Sequence, residues 1–191
     1  MIQEFVERTT APSSTNKYYI KTTKNGYNKC VAIDKTTGSV LPNCTGYAYG
    51  RFMECQYNVT TCNLSRGQAE WWYNNIIDGY QRGRTPKLGA VICWSSTKSG
   101  GHVAIVERIN DDGTILTSNS AYDGSKFYTT TLKASNNYYM GSAYTFQGFI
   151  YNPTTFISPT PPEPPTPIPA GLSKNKFPWV LYARKFRNRR N

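Results

Sequence analysis

Five cysteines and a single histidine are the side chains in this 191-residue sequence best suited to covalent chemistry, and their placement singles out one pair. A thiol attacks a carbonyl only as its thiolate, a form favoured by the partial positive charge at a helix N-terminus. Asn43 is a good helix cap, and behind it Cys44, Ala48, Phe52 and Cys55 step by four, four and three along one apolar side. Cys44 therefore falls in the first turn. Cys93, between Ile92 and Trp94, reads as a small buried hydrophobe, and Cys30, Cys55 and Cys62 have no activating neighbour in the sequence. His102 opens a β-branched run after Ser99-Gly100-Gly101, and any imidazole-dependent step must use it. Taken singly, Cys44 reads equally well as a core cysteine and His102 as a satisfied strand-end histidine. Taken together they supply a nucleophile and its base.

A basic imidazole needs an acceptor to fix its tautomer and orientation. The run His102–Ile109 is followed by the turn residues Asn110-Asp111-Asp112-Gly113 and a returning run Thr114–Asn119, a hairpin. If Asn110 and Gly113 face each other, Ala104 lies opposite Asn119, and alternation puts Asn119 on the face of His102. A tighter turn centred on Asp112-Gly113 moves Asn119 opposite Val106 and keeps it on that face. A bulge or a one-residue slip breaks the relation. Ser118 and Glu107 point the other way, and Asp123, in the loop beyond, is a weaker orienting candidate. Cys44, His102 and Asn119 form the expected catalytic set, an arrangement of the papain type. Trp71, Trp72, Trp94 and Tyr122 are candidates to line a substrate groove, with core packing the expected role for at least half of them.

These residues need elements to position them. Helix signals come first: the helix after Asn43, and a second with Ser65 as cap and Ala69, Trp72, Tyr73 and Ile76 on its apolar side. After Pro86 the pattern turns to strands, at Ala90–Trp94, in the hairpin, and in a last strand ending Phe149-Ile150-Tyr151-Asn152-Pro153. The expected fold is α+β, with N-terminal helices packed on an antiparallel sheet. Residues 1–155 form the expected catalytic domain, 156–171 a proline-rich spacer, and 172–191 a basic aromatic tail. The tail holds seven Lys or Arg and no acid out of a formal net charge of +11, so the basic character belongs mainly to the tail and no nucleic-acid module is expected. The sequence shows neither a stretch long enough to span a membrane nor a recognisable signal peptide. Five irregular cysteines do not suit a disulfide scaffold or a structural zinc site.

Four stretches together resemble the CHAP family, the cysteine- and histidine-dependent amidohydrolase/peptidases of phage lysins and bacterial wall hydrolases. Leu41-Pro42-Asn43-Cys44-Thr45-Gly46-Tyr47-Ala48-Tyr49-Gly50-Arg51 resembles the nucleophile helix, and Pro86-Lys87-Leu88-Gly89-Ala90-Val91-Ile92-Cys93-Trp94 the strand that follows. Gly101-His102-Val103-Ala104-Ile105-Val106-Glu107 resembles the histidine strand, and Thr117-Ser118-Asn119-Ser120-Ala121-Tyr122 the segment after it. The resemblance implies a papain-like fold and peptidoglycan as substrate. It also implies amidase or endopeptidase cleavage, either between muramic acid and alanine or within the peptide stem or bridge. Many family members carry glutamate where Asn119 stands, so this chain departs from the pattern by using a neutral amide. Some phage relatives bind calcium through acidic clusters before the nucleophile; only Asp34 lies near here, so no metal or other cofactor is expected.

The expected setting is a phage particle or release into the host at lysis, with action at the bacterial cell wall. The tail, with Phe177-Pro178-Trp179-Val180-Leu181-Tyr182 wrapped in basic residues, is then an anchor to other virion proteins. The alternative is a non-catalytic wall-binding or virion structural module that keeps the fold without the chemistry.

Overall fold

Asn43 starts a helix because its side-chain oxygen accepts from the Gly46 N–H at 2.9 Å, satisfying one of the donors a first turn leaves open. The helix it caps, α1, spans Cys44–Cys55. A computed structural model supplies the coordinates and describes residues 2–13, 16–19, 42–65, 67–122, 124 and 126–158. Of the proline-rich spacer only residues 156–158 are described; the rest of it, the basic tail, Cys30, Asp34 and Asp123 lie outside the described residues. The described part belongs to one compact unit, Met1–Pro159.

Among the described residues eight strands accompany α1: β1 (Ile2–Glu4), β2 (Arg82–Gly83), β3 (Val91–Ser96), β4 (His102–Ile109), β5 (Thr114–Ser120), β6 (Phe127–Lys133), β7 (Tyr144–Ile150) and β8 (Thr155–Ile157). Six form an antiparallel sheet in the order β2-β7-β3-β4-β5-β6, while β1 and β8 pair separately and in parallel. The β-branched runs occupy the middle of the sheet, where both faces are covered. On one face Cys44, Ala48 and Phe52 of α1 pack with Val91, Cys93, Val103, Ile105 and Ile150. On the other, Ala90, Ile92, Trp94, Ala104, Val106 and Ile115 pack with Leu132, Tyr138, Phe146 and Phe149. The fold is thus mixed α and β with an antiparallel sheet, and α1 is the α-helix of the described residues.

The second expected helix does not form. Its place is taken by two single 3₁₀ turns, Ala69–Trp71 and Ile76–Asp78. The cause is tertiary: the Arg82 guanidinium takes the carbonyls of Tyr73 at 2.6 Å, Asn75 at 2.8 Å and Trp72 at 3.2 Å, while it pairs with Asp78 at 2.6 Å. Those carbonyls are acceptors that a continuous helix would use. Ser65 closes a local turn on the Gly67 N–H rather than capping a helix. The chain also continues as strand past Pro153, since β8 adds to β1 at the register Ile2↔Thr155.

The hairpin register combines two offsets. Next to the turn, Ile109 faces Ile115 and Arg108 faces Leu116; beyond Glu107, Val106 faces Thr117 and Ile105 faces Ser118. Glu107 is an extra residue, a bulge. Continued without it, the turn-end pairing would set Asn119 opposite Ile105, on the α1 face. With it, Asn119 lies on the face of Ala104 and His102, and Ser118 turns to α1. The expected relation therefore holds because a one-residue offset at the turn and a one-residue bulge cancel.

Candidate active site

α1 delivers Cys44 to the sheet at the point where β4 begins. The thiol is 7% exposed, and backbone N–H groups of Val103, Thr45 and Cys44 itself stabilise its thiolate form. The sulfur thus lies against the backbone one residue along from His102. Burial outweighs those donors and pushes the thiol above its ordinary pKa. This reverses the expectation that helix placement alone lowers it: the helix terminus is present, and so is a dry environment that penalises charge.

His102 is buried as well, and burial pulls its imidazole down to about 4, against an opposing pull from its bond to Asn119. Nε2 lies 3.1 Å from Asn119 Oδ1. The tautomer follows from the amide's other bonds. Asn119 Nδ2 donates to Thr117 O at 3.2 Å and to Thr117 Oγ1 at 3.1 Å, and that hydroxyl donates onward to Thr130 O. The amide oxygen is therefore turned to the imidazole, which donates from Nε2 and keeps the lone pair on Nδ1. At rest the thiol and the imidazole are each neutral, and the imidazole is proton-accepting at Nδ1.

The four aromatic candidates separate into two kinds. Trp72 is fully buried with its indole N–H on Gly67 O at 3.1 Å, which makes it core rather than groove wall. Trp94 is fully buried too, bonded to Tyr138 O, with its ring 5.9 Å from that of His102, and backs the imidazole from inside. Trp71 and Tyr122 are open to solvent at 53% and 88%. Two tyrosines absent from the expected set border the centre instead. Tyr144 meets the His102 ring edge-on at 6.4 Å. Tyr128 is the cross-strand partner of Asn119, and its phenol is pushed up by burial and by the nearby Cys44 and Tyr144. The signal for Tyr128 was its position opposite Asn119, which needs the pairing of β6 with β5.

Among the described residues, no three His, Cys, Asp or Glu side chains are grouped to hold a metal ion. No helix of those residues is long and apolar enough to cross a membrane.

Residues 34–121, which include Cys44, His102 and Asn119, match the family model described as CHAP domain. Over those residues the chain resembles a CHAP domain. Among curated proteins, it is 38% identical over 80 residues to the probable autolysin SsaALP of Staphylococcus aureus, covering 41% of this chain and 29% of that one. It is 33% identical over 102 residues to the probable autolysin LDP of the same species, covering 52% and 34%. It is 29% identical over 146 residues to the N-acetylmuramoyl-L-alanine amidase sle1 of S. aureus, covering 69% and 39%. The chain thus spans about a third of the length of these relatives. A crystal structure of an N-acetylmuramoyl-L-alanine amidase from S. aureus aligns over 56% of this chain and 30% of that one, at 28% identity and a TM-score of 0.42.

Proposed function

We propose that this CHAP-like domain hydrolyses an amide bond of bacterial peptidoglycan through Cys44, His102 and Asn119, on a papain-like scaffold. The observation that carries the reading is the bond from His102 Nε2 to Asn119 Oδ1, beside a capped helix terminus that holds the Cys44 sulfur against the backbone of Val103. Wall polymer as substrate is supported by the likeness to proteins named autolysin and amidase.

In this reading the Cys44 thiol gives its proton to His102 Nδ1 as sulfur attacks the amide carbonyl. The tetrahedral oxyanion is met by first-turn N–H groups of α1, that of Cys44 first among them. Collapse expels the amine, which takes the proton back from the imidazolium, and leaves a thioester on Cys44. Water, deprotonated by His102, hydrolyses that thioester and restores the thiol. Because the resting pair is uncharged, the ion pair exists only along the reaction path, where Asn119 Oδ1 steadies the imidazolium.

Digestion of purified cell wall tests this. The wild-type chain releases soluble fragments with new amino groups, and Cys44→Ala lowers release on the order of 10³-fold or more. Mass analysis of the fragments separates an amidase, which frees the alanine amine from muramic acid, from an endopeptidase, which cuts within the stem or bridge. Equal release by both proteins overturns the reading, and release by neither leaves a wall-binding or structural module. The phage-particle setting rests on the composition of residues 156–191; co-sedimentation of the chain with intact virions is its test.

A further inference from the structure

We propose that Glu107 is a positioning residue: its buried carboxylate locks the register of the β4–β5 hairpin, and through that register decides which side chain meets His102. The inference rests on Asn119 being the orienting partner in the proposed function, and it assigns a purpose to a charge cluster that the chemistry itself does not touch.

Glu107 is 1% exposed, among the most deeply buried charged side chains described. Both carboxylate oxygens are fully engaged. Arg51 of α1 forks onto them, Nε to Oε1 at 2.9 Å and Nη2 to Oε2 at 2.7 Å, and the Arg8 backbone N–H adds a third donor at 2.9 Å. The fourth donor is Ser118 Oγ, 2.6 Å from Oε1, which itself accepts from Tyr47 Oη at 2.8 Å. Arg51 also reaches Glu54, and Glu54 binds Arg8, so the carboxylate is held within a network rooted in α1. A carboxylate this deep is stable only with such a set of donors.

The fourth donor is the informative one. Ser118 faces α1 only in the bulged register; in the register of the turn end, Asn119 would occupy the α1 face and Ser118 would face His102. The bond from Ser118 to Glu107 therefore exists in one register and not in the other. Glu107 is also the extra residue that makes the bulge, so the residue that creates the offset carries the group that fixes it. The chain Tyr47–Ser118–Glu107–Arg51 links α1, which bears Cys44, to the strands that bear His102 and Asn119. Three elements are thus fastened at a point on the sheet face opposite the imidazole.

The sole histidine of the chain makes the test specific, because every imidazole signal in an NMR spectrum belongs to His102. Two variants of the full chain, Glu107→Gln and Ser118→Ala, are compared with wild type for near-ultraviolet circular dichroism, the Nε2–H signal and its exchange with water, and kcat and KM on purified wall. Wild type is expected to show a slowly exchanging Nε2–H, bonded to Asn119. In the folded variants that proton exchanges at least tenfold faster, and kcat falls roughly 10- to 100-fold with KM little changed, as expected when a base is misoriented. Where Glu107→Gln fails to fold, Ser118→Ala, which leaves the Arg51 pair intact, decides. A folded variant with wild-type exchange and wild-type kcat, reduced only in thermal stability, overturns the inference. Wild-type chain without wall activity sinks the proposed function instead, while the exchange comparison still decides the register claim.

Discussion

Burial and backbone donors pull Cys44 in opposite directions, and with burial dominant the consequences can be read in pH. His102 titrates at about 4, so kcat/KM is expected to rise through that pH and stay level through neutrality, until the raised thiol begins to ionise. A pH profile on wall substrate checks it; an acid limb centred near 6.5, the ordinary imidazole value, contradicts it. The same shift bears on stability. Between about 4 and 6.5 the unfolded chain binds a proton that the folded chain refuses, so this contribution is complete above 6.5 and lost as pH falls through 4. It is on the order of 3 kcal/mol, visible as a declining denaturation midpoint over that interval. The place of Cys44 in a first helical turn and of Asn119 beside His102 was legible because a cap and strand alternation are local patterns. The depth of the site was not, since no local pattern records how many neighbours cover a helix terminus. For the same reason the sequence led to core packing for at least half of the four aromatic candidates without telling that Trp72 and Trp94 are the core pair.

At the scale of elements, short connections hold the geometry. Gly101, immediately before His102, has φ +82°, and a Cβ there would sit 2.5 Å from Trp94 O and 2.7 Å from the Glu70 nitrogen. Gly101→Ala is therefore expected to cost roughly 2 kcal/mol or more and to reduce activity by shifting the imidazole, measurable by denaturation and wall release in parallel. Wild-type stability in that variant would contradict the close approach. The strand pattern from Pro86 to Ile150 was legible because β-branched runs and turn residues alternate there. β6 carries three consecutive threonines and no apolar alternation, so it and Tyr128 stay hidden until its pairing with β5 is known. The failed second helix has a plain cause as well: one guanidinium from a strand ten residues away takes the carbonyls, a competition no propensity scale contains. The face of Asn119 was inferred correctly from an idealised turn, yet it is secured by a bulge that the pairing rules name as a way to lose it.

Across the whole described unit, the first residues act as a strap. β1 pairs with β8, Phe5 packs edge-on against Phe156 with ring centres 5.1 Å apart, and Arg8 reaches the Glu54 and Glu107 carboxylates. Phe5→Ala is expected to cost about 3 kcal/mol, because a ring 2% exposed leaves a cavity between two distant parts of the chain. Chemical denaturation measures it, and a cost under about 1 kcal/mol would mean the strap bears little of the stability. This closure was not legible, since three-residue strands far apart in sequence carry too little pattern to be matched. The compact unit runs to Pro159 and β8 takes in Phe156 and Ile157, the first residues of the expected spacer; the roles of the rest of the spacer and of the tail remain proposals.

The most direct test of the central claim is to quench the chain during turnover of a soluble wall fragment and locate any added mass. An acyl group is expected on the peptide carrying Cys44, present in wild type, absent in Cys44→Ala, and strongly reduced in His102→Ala. Fragment cleavage that persists in Cys44→Ala with no acyl group on Cys44 would contradict it.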